Sequence, residues 1–291
     1  MTHTLRPSTL PNSVGIGLKF QHIDQFIQQQ PDIGFVEVHA ENYMVEGGLR
    51  LAQLEAVRQD YPLSIHGVAA SLGGDSDLSK DHLRRLKRLV DRFQPAQFSE
   101  HLAWSTHAGI YYNDLLPVPY TQERLMRVLE HVDRLQTVLG RQVLIENPAS
   151  YIAYSTSEMD ESEFVRLLIT HGGCGLLLDI NNLVVSCTNQ NLDPLVYLQD
   201  LPLASVGEVH LAGFAEELDA DGERLLIDSH ASEVAPEVWQ IFQQAIEKVG
   251  PKPTLLERDG AIPSLEALLT EARQAEPYLK RGECQELHHV G

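Results

Sequence analysis

Carboxylates and imidazoles close one apolar run after another in this chain. His66, Glu100 with His101, Glu146 with Asn147, Asp179, His210 and Glu257 all stand at such ends, and Asp228 and His230 follow in a polar stretch. The clearest case is Gly175 to Leu178, a stretch fit for burial on both faces, which finishes in Asp179 and then Asn181 and Asn182. Gathered in one low-dielectric mouth, these groups repel or desolvate one another unless a cation neutralises them. His66, Glu100, Glu146, Asp179, His210, Asp228, His230 and Glu257 therefore form a candidate metal set. It contains no sulfur, which suits iron, manganese, cobalt or catalytic zinc rather than copper(I). The set exceeds the needs of a single ion of about six-coordinate geometry, and bridging carboxylates serve ions about 3.5 to 4 Å apart. Two or three metal ions are expected.

Strands must carry these residues to a common end. The spacing predicts strands over 13–19, 35–39, 63–67, 97–101, 142–147, 175–180, 206–211 and 254–257, alternating with helices over 23–30, 49–60, 80–93, 121–139, 160–171, 193–201, 232–249 and 262–278. Ser79 reads as an N-cap and Gly140 as a helix terminator. The alternation is that of a single (β/α)8 barrel spanning residues 1–291, with residues 280–291 as a tail. A doubly wound sheet would give a similar alternation, but its ligand site sits at one switch point, whereas here many strands end in polar chemistry. Parity supports convergence, because side chains alternate between the barrel interior and the helical layer. Glu37, His39 and Glu41 share parity, as do Ser64 with His66, Leu144 with Glu146, Leu177 with Asp179, Glu208 with His210, and Leu255 with Glu257. Adjacent Glu100 and His101 cannot both point inward from a regular strand. Long segments after residues 101 and 211 are read as polar loops, the first with Trp104, His107, Tyr111 and Tyr112 in a stretch the length of a binding loop.

Bulk properties narrow the partners. The 291 residues carry 41 acidic and 22 basic side chains, a formal charge of -19, which argues against binding a phosphate backbone. No apolar run approaches the ~20 residues of a membrane-spanning helix, and the N-terminal stretch has no apolar signal-like core. Cys174, Cys187 and Cys284 are odd in number and lack CxxC spacing, which fits a reducing, cytoplasmic setting without structural disulfides. Plainer readings exist for single residues. A lone His66 or His210 at a strand end is ordinarily a hydrogen-bonded structural residue, Asp228 and His230 suit an Asx-bonded turn, Asn182 suits a cap, and Glu37 and Glu208 suit interior ion pairs with Lys19 or Arg258. Their conjunction favours a metal centre. The tail histidines, His288 and His289, read as solvated.

Taken together, Glu41-Asn42-Tyr43, Ser64 to Gly67, Ser99 to Leu102, Glu146-Asn147-Pro148, Asp179 to Asn182, His210 to Gly213, Asp228 to His230 and Glu257 to Gly260 resemble, in order, the multinuclear non-haem iron-dependent oxidative enzymes. These are xylose-isomerase-like TIM barrels that include the methanobactin oxazolone-forming and 3-thiaglutamate-forming enzymes. The resemblance covers nearly the whole chain. It implies two or three iron ions of mixed ferrous and ferric state, dioxygen as co-substrate, and oxidative modification of a cysteine in a ribosomally made precursor peptide. A small partner protein that presents the leader is implied as well. It adds Asn147 to the metal ligands and gives Asn42, His101 and Asn182 the orientation of substrate. Rival readings remain: a divalent-metal sugar isomerase, an endonuclease-like metal barrel, which the charge disfavours, and a non-catalytic metal- or peptide-binding scaffold.

Overall fold

A computed structural model describes residues 9–280. The expected tail, with Cys284, His288 and His289, lies outside them apart from Lys280. In chain order the elements are β1 (Val14–Gly17), α1 (Ile23–Gln29), β2 (Phe35–His39), α2 (Leu49–Asp60), β3 (Leu63–Gly67), α3 (Lys80–Phe93), β4 (Gln97–His101), β5 (Trp104–His107), β6 (Ile110–Leu116), α4 (Gln122–Leu139), β7 (Leu144–Glu146), α5 (Glu161–Gly172), β8 (Gly175–Asp179), α6 (Ile180–Asn189), α7 (Pro194–Asp200), β9 (Val206–Leu211), β10 (Ala215–Leu218), β11 (Arg224–Ile227), α8 (Pro236–Val249), β12 (Thr254–Leu256) and α9 (Leu265–Ala272). Parallel strands close a barrel in the order β1-β12-β9-β8-β7-β4-β3-β2, the (β/α)8 architecture that the alternation predicts. Helices cover it outside.

Local chemistry explains the elements. Leu176, Leu177 and Leu178 of β8 are 0% exposed, each contributing about 1.5–3 kcal/mol of burial relative to an exposed side chain. Ser79 Oγ accepts from His82 N at 3.3 Å and Thr121 Oγ1 from Arg124 N at 3.1 Å, capping α3 and α4. Gly140 ends α4 at φ 69°, a left-handed conformation that glycine adopts without steric penalty. Pro236 starts α8 four residues later than expected, since its fixed φ suits the first helical position. Ser264 caps α9, which starts after 262 for the same kind of reason.

Two expectations change. The segments read as long polar loops contain antiparallel hairpins, β5 with β6 and β10 with β11. And β8 passes straight into α6 with no intervening loop, because the Asp179 carboxylate accepts from Asn182 N at 2.6 Å and caps the helix. The cap at this turn is thus Asp179, and Asn182 is inside the first turn. Among the described residues, no helix is long and apolar enough to cross a membrane.

Candidate metal centre

Barrel register brings the strand ends level. His39 is opposite His66, His101 opposite Glu146, and Asp179 opposite His210. The side chains converge accordingly. His66 Nε2 lies 3.1 Å from Glu146 Oε2 and 3.3 Å from His101 Nε2, while its Nδ1 is 2.7 Å from Ser99 Oγ. His101 Nδ1 donates to the Gly67 carbonyl at 3.0 Å, which turns Nε2 toward Glu146 at 3.4 Å. His210 lies between two carboxylates, Nδ1 at 3.2 Å from Glu257 and Nε2 at 3.3 Å from Glu37. His230 Nε2 is 2.6 Å from Asp228 Oδ1, and its Nδ1 is 3.5 Å from both Glu257 and Asp259.

Three groups linked through shared carboxylates result, each with ligand atoms within 4.8 Å of one another: His66, His101 and Glu146; Glu146, Asp179 and His210; Asp179, His230 and Glu257; Glu37, Glu208 and His210 make another, joined to them through His210. Glu146 and Asp179 are each common to two groups. Many inward atoms are close without being aligned as hydrogen bonds: Glu146 Oε2, Asp179 Oδ2, both His210 nitrogens and His230 Nε2 are buried and have no hydrogen-bond partner. That is the geometry of donors facing a common centre, and the oxygen and imidazole set suits a divalent or trivalent metal. Without a cation, protons balance the charge. Burial opposes the imidazolium at His66, yet the Glu146 and Glu37 carboxylates hold it up at about 9. Against the same penalty, Glu37 and Glu257 raise His210, and Asp228 and Glu257 raise His230. Burial and neighbouring Glu146 and Asp228 push the Asp179 carboxyl well up, and burial with Glu37 raises Glu208 to about 8.

The remaining expected residues divide. Glu100 is 0% exposed but lies outside all three groups: its Oε1 accepts from His101 N, its Oε2 has no partner, and burial and Glu41 raise its pKa. Of the adjacent pair at the end of β4, His101 joins the cluster and Glu100 does not. Asn147 spends its whole amide on the backbone of Asp179, Nδ2 donating to the carbonyl and Oδ1 accepting from the N–H, both at 2.9 Å. Asn182 donates to Glu146 Oε1 at 2.8 Å, so it orients a carboxylate of the cluster. Asp228 sits at the rim, held by Asn181 at 2.7 Å and donating its N–H to Tyr151 Oη. Asn42 is exposed and lines a 320 Å³ cavity beside His39 and Glu257. A second cavity, of 260 Å³, opens onto His101, Asn182 and Asp228.

Glu37 and Glu208 do not pair with Lys19 or Arg258. Ser64 Oγ lies 2.8 Å from Glu37 and 3.2 Å from Glu208 beneath the cluster, while Lys19 pairs with Asp259 and Arg258 with Glu271 at 2.6 Å. Opposite parity to Glu257 sends Arg258 to the helical layer. His39 and Asp259, absent from the expected set, form a further group with Glu257. Each shares the i+2 parity of an inward neighbour, His39 with Glu37 and Asp259 with Glu257, and that signal would have found them.

Comparison with known proteins agrees in fold and narrows the chemistry. A family model described as RiPP precursor modification enzyme MbnB/TglH/ChrH matches residues 13–280. A UPF0276 protein of Rhizobium meliloti (strain 1021) is 50% identical over 280 residues, covering 95% of this chain and 91% of its own. One from Bordetella parapertussis is 48% identical over 273 residues, covering 94% of each. Among solved structures, an L-ribulose 3-epimerase aligns with TM-score 0.61 at 13% identity over 96% of this chain and 98% of its own. A xylose isomerase-like TIM barrel protein from Mycobacterium smegmatis in complex with magnesium aligns with TM-score 0.60 at 15% identity over 93% and 97%. Endonuclease IV from Thermus thermophilus aligns with TM-score 0.59 at 14% identity over 92% and 99%. At such identities the structures share the barrel alone.

Proposed function

Because the chain belongs to the MbnB/TglH/ChrH family of RiPP precursor modification enzymes, we infer that it oxidises a cysteine of a ribosomally made peptide, using dioxygen and two or three iron ions. The observation that carries the metal centre is the convergence of buried inward donors, Glu146 Oε2, Asp179 Oδ2 and both His210 nitrogens, close to one another without being aligned as hydrogen bonds. Asp179 Oδ2 has no partner, a buried polar atom in that position costs about 1–3 kcal/mol, and one cation satisfies several such donors at once. In this reading His66, His101 and Glu146 hold one ion, Glu146, Asp179 and His210 a second, and Asp179, His230 and Glu257 a third. Relative to the expected set, Glu100, Asn147 and Asp228 leave this reading and His101 joins it. Iron held there would supply a seat for the substrate thiolate and a site to activate dioxygen, the electrons for its reduction coming from the cysteine that is oxidised.

The protein's own groups prepare that seat. Asn182 fixes the rotamer of Glu146, and the Asn147 amide locks the end of β8 so that Asp179 faces inward. The Gly67 carbonyl sets His101 with Nε2 inward. Asp228, at the rim of the 260 Å³ cavity, orients the incoming peptide, and Asn42 serves the opening on the other flank. The family resemblance also supports a small companion protein that presents the leader. The buried thiols of Cys174 and Cys187 suit a reducing, cytoplasmic setting.

The test is anaerobic purification with ferrous iron, followed by metal analysis, Mössbauer spectroscopy and oxygen uptake with a cysteine peptide encoded beside the chain. Two or more irons per chain and peptide-dependent oxygen uptake are expected. Protein that takes up zinc alone, with no iron-dependent absorbance or Mössbauer signal, would sink the reading.

A further inference from the structure

The 260 Å³ cavity that opens onto His101 and Asn182 carries carboxylates and tyrosine rings but no basic chain. Its carboxylates are Asp114, on β6, and Asp228, just past β11, and no Lys or Arg lines it. Nearby acids are treated differently: Asp75 and Asp77 pair with Arg124 and Arg127 at 2.5 and 2.8 Å. Asp114 and Asp228 meet no Lys or Arg among the described residues. One oxygen of each is held in place. Asp114 Oδ1 accepts from the Leu115 N–H at 2.8 Å, and Asp228 Oδ1 accepts from Asn181 Nδ2 at 2.7 Å and faces His230 Nε2. The second oxygen of each has no hydrogen bond or ion pair among the described residues. A carboxylate fixed through one oxygen and open at the other is prepared for a charged donor.

Two aromatic rings line the same hollow. Tyr111 is 56% exposed and Tyr151 38%. Trp104 meets Tyr112 and His107 edge-on, whereas the rings of Tyr111 and Tyr151 meet no other aromatic ring and no cation among the described residues. The Tyr151 phenol joins the two carboxylates. Its Oη accepts from Asp228 N at 2.9 Å, and burial together with the charges of Asp228 and Asp114 pushes its pKa up. Open ring faces beside unpaired carboxylates attract a cationic side chain, the rings through their quadrupole and the carboxylates through charge. The inner end of the hollow is short of a donor as well. Asn182 is 3% exposed and spends Nδ2 on Glu146 Oε1 and the Asn147 carbonyl, at 2.8 and 3.1 Å, which leaves Oδ1 buried without a partner. Such an acceptor is satisfied by a ligand N–H.

We propose that this cavity is a subsite for a basic residue of the peptide substrate: its ammonium or guanidinium group sits among Tyr111, Tyr151, Asp114 and Asp228, and a main-chain N–H beside the cysteine donates to Asn182 Oδ1. The two contacts together set a fixed spacing between the basic residue and the cysteine that reaches the metal centre. The inference rests on the peptide reading above and names the feature by which a substrate sequence is chosen.

The experiment uses the full chain reconstituted anaerobically with ferrous iron and a display library of nine-residue peptides with cysteine fixed at the centre. Enriched peptides should carry Arg or Lys at one common spacing from the cysteine. Replacing that residue by citrulline or acetyl-lysine, which keep the shape and lose the charge, should weaken binding about fivefold or more. The double variant Asp114→Asn, Tyr111→Leu should weaken the charged peptide by a similar factor and hold the neutral one within about twofold, since the partner of the lost groups is already gone. Neither residue belongs to a metal group, so iron content should stay the same, and thermal unfolding checks that the barrel is intact. Enriched peptides without a basic residue at a common spacing, or a variant that weakens charged and neutral peptides equally, overturn the subsite while leaving peptide oxidation standing. A library with no enrichment overturns the peptide reading itself, and this proposal with it.

Discussion

Glu100 and His101 are neighbours in sequence with opposite surroundings. The imidazole of His101 is anchored by the Gly67 carbonyl and meets His66 and Glu146, whereas the Glu100 carboxyl is buried against Glu41, outside the three groups. His101→Ala should therefore lower bound metal by about one ion per chain, measured by elemental analysis, while Glu100→Gln should leave the stoichiometry unchanged. His66 adds a pH signature. Its proton is held up to about 9 by Glu146 and Glu37, and a metal ligand must give that proton up. Protons compete below that value, so metal affinity should rise with pH and level off above about 9, and titration calorimetry should show proton release. In Glu146→Gln the charge that holds the proton is weakened, so the rise should move to lower pH.

At the scale of elements, the centre depends on how β7 and β8 finish. Asn147 makes two bonds to the Asp179 backbone, and Asp179 caps α6. Asn147→Leu strands two buried backbone groups at about 1–3 kcal/mol each, so the melting temperature should fall by roughly 5–10 °C. A loss under about 2 °C would show that the clamp is replaced by water. The same junction marks a limit of sequence reading. Barrel strands were legible because inward and outward residues alternate and apolar runs end in polar groups. The immediate turn of 180–189 into a helix was not, because Ile180, Val184 and Val185 are weak helix formers and their burial comes from tertiary packing. The hairpins were missed for a related reason: β6 is mostly exposed and has no apolar alternation to reveal it.

For the whole molecule, the barrel seals its interior while leaving the strand ends open. Cys174 and Cys187 lie inside the described fold, and burial pushes both thiols up to about 12. At pH 8 iodoacetamide should leave both unmodified in the native protein and label them after unfolding in guanidinium, as mass spectrometry of tryptic peptides would show. Labelling of Cys187 in the native state would mean that α6 opens readily, and labelling of Cys174 that the junction between α5 and β8 does. The net charge of -19 belongs to this scale as well: it disfavours nucleic acid and favours a basic segment at the mouth. By itself the sequence determined that a barrel forms and that its mouth is lined with histidines and carboxylates, because periodicity and parity are local properties of a strand. Tertiary structure alone decided which of Glu100 and His101 enters the cluster, that Asn147 binds backbone, and that His39 and Asp259 stand beside Glu257. Those outcomes depend on distances between residues up to 220 positions apart, as between His39 and Asp259, which only closure of the barrel brings together.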